Sequence, residues 1–236
     1  MARRSVRVSP GLVAGQAPRR VHKTARHPQD KWKGNNLAVQ DFETPVLWRQ
    51  DLDARWPERL VMKEHLLKLL NQTLSSASSP EILELGVGDG ELLSALLGLL
   101  PDAHLVAMDN NQTLLDHCIA QTDSPRVSTV LQDLTSPWAG PHAGAFDAVY
   151  TLQSLHDLGD LRVLRSTYSE IATVLKPGGV LVNADFVVPL PQDVGAAPRR
   201  FPVSEHLRIL KALGFHQCGI VHEQGLLGCV VATQPG

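Results

Sequence analysis

The sequence predicts an α/β fold, in which a doubly wound and mostly parallel sheet of seven strands ends in an antiparallel strand. From residue 81 onward, strand and helix signals alternate, which is typical of parallel strands joined by helices. The last two apolar runs, 216–223 and 226–233, have no helix between them and turn near Gln224 and Gly225. They therefore predict a hairpin, so the last strand enters the sheet antiparallel to the others.

The other elements also follow from local patterns. An amphipathic helix is predicted from Pro57 to about Ser75, because apolar residues recur there at helical spacing before a serine-rich stop. The other five strands are predicted at 81–86, 104–108, 127–131, 146–151 and 179–186. The helices that accompany them are predicted at 89–100, 111–121, 159–175 and 204–213.

The N-terminal segment differs in charge from the rest of the chain. Residues 1–33 carry nine Lys and Arg and one acid, a net charge of +8, whereas the remaining residues have a net charge of −10. This segment also contains three prolines and shows no periodicity. Its composition predicts a disordered arm, which is either a solvated tail or a segment that contacts RNA electrostatically, serves as a mitochondrial leader or covers a substrate.

We predict three parts of the chain: a basic arm (1–38), an aromatic strap with Phe42, Trp48 and Trp56 (39–56), and the α/β domain (57–236). No apolar run approaches the roughly 18–20 residues that span a bilayer, and no secretory signal is evident. We therefore expect a cytoplasmic protein without membrane contact, with a mitochondrial location as the alternative. The three cysteines share no metal-ligand spacing, so neither a disulfide framework nor a metal site is predicted.

A glycine-rich loop follows the first strand, with glycines at positions 86, 88 and 90. Such glycines let the backbone approach a ligand closely, and the next helix directs unpaired N–H groups at it. The loop therefore predicts a nucleotide-like ligand. A dinucleotide fingerprint reads Gly-x-Gly-x-x-Gly, whereas Glu91 stands here in place of the third glycine. Glu84 precedes the loop by two positions.

Acidic residues follow the second and third strands at the edge where open α/β sheets bind ligands. Asp109 comes nineteen residues after Gly90 and could accept hydrogen bonds from both ribose hydroxyls. Asp133 could accept a hydrogen bond from an exocyclic amine such as that of adenine. The glycine loop and the two acids together indicate an adenosine-containing cofactor.

These motifs resemble those of class I S-adenosylmethionine-dependent methyltransferases, over roughly residues 57–234. The resemblance rests on the segments Glu84–Gly90, Phe146–His156 and Leu175–Leu181, and on Asp109 and Asp133. It implies S-adenosylmethionine as the cofactor, and it places the chain in the general branch that acts on small molecules.

The resemblance also implies a role for individual positions. The implied cofactor contacts are Glu84, Gly86, Gly88, Gly90, Asp109, Asn110, Asp133, Leu134 and Gln153. His156 is the best candidate for a catalytic base, because a neutral imidazole can accept a proton near neutral pH. A packing or cofactor-contact role for His156 is the alternative.

The acceptor is approached by elimination within the family. Residues 151–154 read Thr-Leu-Gln-Ser, where enzymes that methylate exocyclic amines carry an Asn-Pro-Pro-Tyr-like run, and no cysteine suits cytosine-C5 methylation. We therefore expect a small organic acceptor. The aromatic strap would either form a lid over it or pack the N-terminal segment on the sheet. The alternatives are an RNA or protein methyltransferase that uses the basic arm, a non-catalytic cofactor-binding protein, and an NAD(P)-dependent oxidoreductase. The sequence gives no indication of the oligomeric state.

Overall fold

The computed structural model describes residues 39–189 and 199–236. Its strands are β1 (Glu81–Leu85), β2 (His104–Asp109), β3 (Val127–Leu131), β4 (Phe146–Leu152), β5 (Leu175–Phe186), β6 (His216–Gln224) and β7 (Leu227–Thr233). Its α-helices are α1 (Pro45–Arg55), α2 (Glu58–Leu74), α3 (Glu91–Leu99), α4 (Gln112–Thr122), α5 (Leu161–Val174) and α6 (Val203–Ala212). The predicted arm, residues 1–38, lies outside the described residues.

The seven strands form one sheet in the order β3-β2-β1-β4-β5-β7-β6. The first five strands pair in parallel, whereas β7 pairs antiparallel with both β5 and β6. The predicted fold class and the antiparallel last strand are therefore confirmed. The chain order reverses between β1 and β4, and this switch point is where ligands bind in such sheets.

Helices cover both faces of the sheet. One buried cluster joins α2, α3 and α4 to side chains such as Ile82, Tyr150 and Val182. The other joins α5 and α6 to side chains such as Leu83 and Leu181. Successive strand residues alternate between the two clusters because side chains in a strand point to opposite faces. Both faces are therefore apolar, as expected for strands inside a doubly wound fold.

The segment before α2 is mostly helical. A 3-10 turn spans Val39–Asp41, and α1 begins after Thr44, whose hydroxyl accepts a hydrogen bond from the Leu47 N–H at 3.3 Å. A Thr at this place followed by Pro45 is a common helix start, because it supplies an acceptor for an otherwise unpaired N–H. The residues of the aromatic strap thus form α1 and its flanks.

Strand β5 begins earlier than predicted, at Leu175 instead of residue 179. The pairing of β4 with β5 shifts register between Phe146 and Ala148, so the Pro177-Gly178-Gly179 run is accommodated in an irregular stretch. Gly178 has a φ of +78°, which suits glycine and permits this bend. The predicted end of the preceding helix is thereby moved back to Val174.

Candidate active site

A cavity of about 560 Å³ opens at the carboxyl ends of β1, β2 and β4. This volume is in the range of small-molecule and cofactor sites. The cavity contains most of the residues proposed from the sequence. Those that line it are Glu84, Gly86, Gly88, Asp109, Asn110, Leu134, Gln153 and His156.

Gly90 and Asp133 do not line the cavity. Gly90 has a φ of +78°, and a Cβ there would lie 3.1 Å from the sulfur of Cys118 on α4, so this glycine lets the loop pack on α4. Asp133 is exposed, and its Oδ1 accepts hydrogen bonds from the N–H and hydroxyl of Thr135 at 2.8 and 2.7 Å. Hydrogen bonds from Thr135 lower the pKa of Asp133. Asp133 thus caps a surface turn.

Gly86 brings the loop against the end of β4. A Cβ at this position would lie 2.1 Å from the Ser154 hydroxyl oxygen, and the φ of Gly86 is +77°. Any side chain at residue 86 would therefore force the two loops apart. The close approach holds the glycine loop beside Gln153 and His156, which follow β4.

Asp109 ties the glycine loop to the end of β2. Its Oδ2 accepts a hydrogen bond from the Val87 N–H at 3.1 Å, and its Oδ1 accepts one from the Asn111 N–H at 2.9 Å. Burial raises the pKa of Asp109, although these backbone N–H groups oppose the rise. Each carboxylate oxygen can accept a second hydrogen bond, so a hydroxyl-bearing ligand could still bind there.

Glu84 is almost completely buried below the loop, with 2% exposure. Within the described residues its Oε2 has no hydrogen-bond partner. Burial raises the pKa of Glu84 well above its usual range, the Tyr150 hydroxyl opposes the rise, and the Asp109 charge adds to it. A cationic group in the cavity would give Oε2 a hydrogen-bond partner and would offset the cost of burying this carboxyl as a carboxylate.

Helices α1 and α2 close the cavity through ion pairs. Arg49 on α1 bonds Asp89 of the glycine loop, with Nε 2.7 Å from Oδ2. Lys63 on α2 contacts Glu91, the first residue of α3, and its Nζ lies 3.0 Å from Asp53 Oδ2. Partly buried pairs are screened less by salt than exposed ones. These contacts therefore hold the two N-terminal helices over the loop.

Arg59 on α2 extends this network to the loop after β4. Its Nε donates to Asp53 Oδ1 at 2.9 Å, and one NH1 hydrogen bond goes to Gln153 Oε1. Gln153 has a φ of +52°, uncommon for a residue other than glycine. Its Nε2 is buried and has no hydrogen-bond partner in the part of the chain that the structure describes.

His156 and Asp185 form a buried pair at the ends of β4 and β5. His156 Nδ1 lies 2.7 Å from Asp185 Oδ1, and the His156 N–H donates to Asp185 Oδ2 at 3.1 Å. Burial lowers the pKa of His156, but the charge and hydrogen bond of Asp185 outweigh it and leave the pKa raised. Burial likewise acts to raise the pKa of Asp185, but the charge and hydrogen bond of His156 outweigh burial and leave the pKa of Asp185 lowered. The arrangement resembles a base oriented by a carboxylate.

Aromatic rings form the apolar wall beside this pair. The ring of Phe186 meets His156 edge to face, with centroids 4.8 Å apart, and meets Trp56 with centroids 5.0 Å apart. Trp48 also lines the cavity, whereas Phe42 does not. This wall gives the β4 and β5 end of the cavity an apolar surface with one imidazole in it.

Sequence reasoning did not identify Arg49, Arg59, Lys63 or Asp185 as site residues. The sequence pattern could have indicated two of these residues, because Arg59 and Lys63 lie in the otherwise apolar stripe of α2 with Met62 and Leu66. Cations in such a stripe are rarely buried without a partner. Asp185 carried another signal, a carboxylate within the apolar run of β5.

The described residues hold no group of three or more His, Cys, Asp or Glu side chains placed to bind a metal ion. The cysteines at 118, 218 and 229 are free thiols. Burial raises the pKa of Cys118 to about 12 and that of Cys229 to about 12. In residues 39–189 and 199–236, every helix is too short or too polar to cross a membrane.

Comparison with known proteins identifies the domain. The family described as "Methyltransferase domain" matches residues 82–179, from β1 to the irregular start of β5. This region is therefore similar to a methyltransferase domain. An O-methyltransferase, pyvH, from Aspergillus violaceofuscus is 22% identical to it over 173 residues, which are 72% of this chain and 39% of that protein. The chain thus spans well under half the length of this curated relative.

Solved structures confirm the methyltransferase fold. The CMeT domain of the citrinin polyketide synthase superimposes with a TM-score of 0.71 at 15% identity, covering 84% of this chain and 58% of that one. The [4+2]-cyclase SpnF superimposes with a TM-score of 0.58 at 19% identity, covering 72% and 81% of the two chains. At these identities the likeness concerns the fold, which carries different activities in different proteins.

Proposed function

We propose that this protein transfers a methyl group from S-adenosylmethionine to a small organic acceptor. The observation that carries the proposal is the cavity itself, where the glycine loop, Asp109 and the buried Glu84 face His156 across one space. The methyltransferase domain over residues 82–179 supports the class of reaction. That the acceptor is a small organic molecule is the more specific part of the proposal.

The residues present fit this cofactor. Glu84 Oε2 and Gln153 Nε2 are buried polar atoms that find no partner among the described residues, and both residues line the cavity. One can accept a hydrogen bond from an ammonium group, and the other can donate to an oxygen. Asp109 retains acceptor capacity for hydroxyl groups, and the space at Gly88, where a Cβ would meet Trp48 only at 3.9 Å, admits a ligand close to the backbone. An adenosylated amino acid carries the complementary groups, namely an ammonium, a carboxylate and the ribose hydroxyls.

When bound, S-adenosylmethionine would supply a methyl group on a positively charged sulfur, which would leave as the neutral thioether of S-adenosylhomocysteine when the methyl carbon bonds to the acceptor. The protein then has to orient the acceptor and keep water out. The wall formed by Trp56, Phe186 and Leu152 excludes water from the β4 and β5 end. Arg49 and Lys63 hold the N-terminal helices over the loop and reduce its exposure.

We further propose that His156 accepts the proton that the acceptor loses. Asp185 fixes Nδ1 of the imidazole, so in the neutral ring that nitrogen carries the hydrogen and Nε2 is the basic atom. His156 lines the cavity, and its Nε2 lies 3.4 Å from the exposed Asp157. A hydroxyl or an acidic carbon on the acceptor suits such a base.

An acceptor screen tests this function. The protein is incubated with S-adenosylmethionine and a panel of phenols, carboxylic acids, amines and β-dicarbonyl compounds, and methylated product and S-adenosylhomocysteine are quantified by mass spectrometry. Both products are expected to appear together for at least one small acceptor. Tight binding of S-adenosylmethionine with no transfer to any member of the panel would contradict it and favour a non-catalytic cofactor-binding protein.

A second candidate is a methyltransferase that acts on RNA, which the net charge of +8 over residues 1–33 favours. Lys and Arg neutralise phosphates and release counterions, so such binding weakens steeply with salt. Gel-shift titrations at several salt concentrations, with the full chain and with a variant lacking residues 1–33, test it. Salt-sensitive binding that is lost with the arm would support RNA as the acceptor, and absence of binding at low salt would remove it.

A further inference from the structure

We propose that Arg59 is a positioning residue that holds the Gln153 carboxamide with its NH2 group toward the cavity, where that group binds a ligand carboxylate. The proposal rests on the proposed function, since the carboxylate we have in mind belongs to the amino-acid part of the cofactor. It assigns a role to a helix that precedes the matched domain, residues 82–179.

Arg59 is held in place before it reaches Gln153. Its side chain is 8% exposed, and its Nε donates to Asp53 Oδ1 at 2.9 Å. Asp53 is fixed in turn by Lys63 and Arg49, at 3.0 and 3.1 Å from Oδ2. Burial raises the pKa of Asp53, but its bonds to Arg59 and Lys63 outweigh this and leave it lowered. Asp53 therefore stays ionised and anchors the guanidinium.

The anchored guanidinium decides which way the Gln153 amide faces. Arginine has donors and no acceptor, so the amide atom that contacts NH1 must be the oxygen, Oε1. The NH2 group lies in the same plane as Oε1 but at the other edge of the amide, and it therefore points away from this contact. The backbone of Gln153 is also fixed, because its N–H donates to the Ala184 carbonyl at 2.8 Å. The side chain thus has one supported orientation, and Nε2 finds no partner among the described residues.

The surroundings of Gln153 favour a carboxylate. Strands β1 and β4 are neighbours, with Glu84 opposite Tyr150, and Ser154 packs against Gly86. Gln153 therefore lies beside the loop that leads from Glu84. A buried carboxyl and an amide donor supported by a guanidinium offer complementary partners for the ammonium and carboxylate of one amino-acid group.

Gln153→Glu separates positioning from simple packing. A Glu keeps the size of the side chain and strengthens the contact with Arg59, but it replaces the NH2 donor by a second oxygen. We expect isothermal titration calorimetry to show affinity for S-adenosylhomocysteine falling about ten- to hundredfold, since a hydrogen bond to a charged group is lost. Affinity for 5′-methylthioadenosine, which lacks the amino-acid part, is expected to stay the same. Unchanged affinity for S-adenosylhomocysteine in the folded variant would overturn the proposal.

Arg59→Met tests whether Arg59 acts through Gln153. It is expected to weaken binding of S-adenosylhomocysteine in the wild-type background and to add nothing in a Gln153→Leu background, because coupled residues are not additive. Equal losses in both backgrounds would overturn the positioning role. Arg55→Met is the matched control, because Arg55 pairs with Asp51 on α1 and does not line the cavity. Thermal unfolding of each variant establishes that it folds.

The same titrations distinguish a failure of the proposed function from a failure of the role proposed for Arg59 and Gln153. If the wild-type protein binds neither S-adenosylhomocysteine nor 5′-methylthioadenosine, the proposed function fails. If the wild type binds both and Gln153→Glu also binds both equally well, the proposed function stands and the role of Arg59 and Gln153 fails.

Discussion

Glu84 at the end of β1 and Asp185 at the end of β5 are both almost completely buried, yet their pKa values move in opposite directions. Burial raises the pKa of Glu84, and nearby Asp109 and Asp89 add to the rise. Burial also acts on Asp185, but the adjacent His156 lowers its pKa instead. Glu84 therefore lacks a positive partner that Asp185 already possesses.

The difference divides the cavity into two ends with different tasks. At the β1 end, the buried Glu84 carboxyl has an oxygen that finds no partner among the described residues, so it can accept a hydrogen bond from a ligand. At the β5 end, the carboxylate is used internally to orient an imidazole. We infer that the first end binds and the second transfers a proton, as expected when environments push the pKa values of paired acids apart.

Removing the imidazole is expected to have the largest effect. His156→Ala should lower kcat by about 10²- to 10⁴-fold, the range for loss of a general base, and leave the affinity for S-adenosylhomocysteine nearly unchanged. Steady-state kinetics and calorimetry measure the two quantities. His104→Ala is the control, because His104 is exposed at the amino end of β2, whereas the cavity lies at the carboxyl ends of the strands. Unchanged turnover in His156→Ala would show that the reaction does not depend on proton transfer to His156.

A pair of substitutions at the strand ends is expected to have the next largest effect. Asp109→Ala should weaken S-adenosylhomocysteine binding by about ten- to hundredfold, because Asp109 lines the cavity and holds the glycine loop. Asp133→Ala should change the affinity by less than about twofold, as for a surface residue. Calorimetry compares the two. An equal loss in both variants would show that Asp133 contacts the cofactor, as the resemblance implies.

The pH dependence of Asp185→Asn tests whether Asp185 sets the protonation of His156. A base must be neutral to act, so kcat/KM should rise with pH through the His156 pKa, which Asp185 raises above its ordinary value. Without the Asp185 charge, burial and Arg200 lower the His156 pKa against the smaller opposing effect of Asp157, so the rising limb should move to lower pH. The plateau should fall about tenfold, because one charged hydrogen bond is lost. A limb that stays in place would contradict the coupling of the pair.

Smaller effects are expected from glycine substitutions beside the β1 end. Gly90→Ala should destabilise the protein by about 1–3 kcal/mol, because its φ of +78° and the nearby Cys118 both oppose a side chain. Gly98→Ala should stabilise it by about 0.5–1 kcal/mol, since this residue lies within α3 and a Cβ there would meet none of the described residues within 4 Å. Urea unfolding measures both free energies. The same sign for the two variants would contradict the account of the loop.

Local patterns predict most of the fold and the sheet side of the cavity. Alternating apolar runs place β1, β2 and β4 close to their observed bounds, since strand signals are carried by neighbouring residues. The glycine loop and Asp109 could be predicted because a nucleotide-like ligand demands them at fixed distances along the chain. Asp133 follows the same pattern but is turned outward by its bonds to Thr135, which the pattern does not encode.

The helical side of the cavity could not be predicted in the same way. Arg59 meets Gln153 across 94 residues, and Arg49 meets Asp89 across 40. Such partners become neighbours only when the helices pack, and a single sequence carries no mark of the pairing. A cation in an apolar stripe indicates that a partner exists, and the structure is needed to say which one.

We propose above all that the cavity between β1 and β4 binds S-adenosylmethionine. The most direct test is calorimetric titration of the full chain with S-adenosylhomocysteine, repeated with NAD present. We predict saturable binding of S-adenosylhomocysteine that NAD does not weaken. Displacement by NAD, or no heat of binding with S-adenosylhomocysteine, would contradict the claim and favour an oxidoreductase or another ligand for this fold.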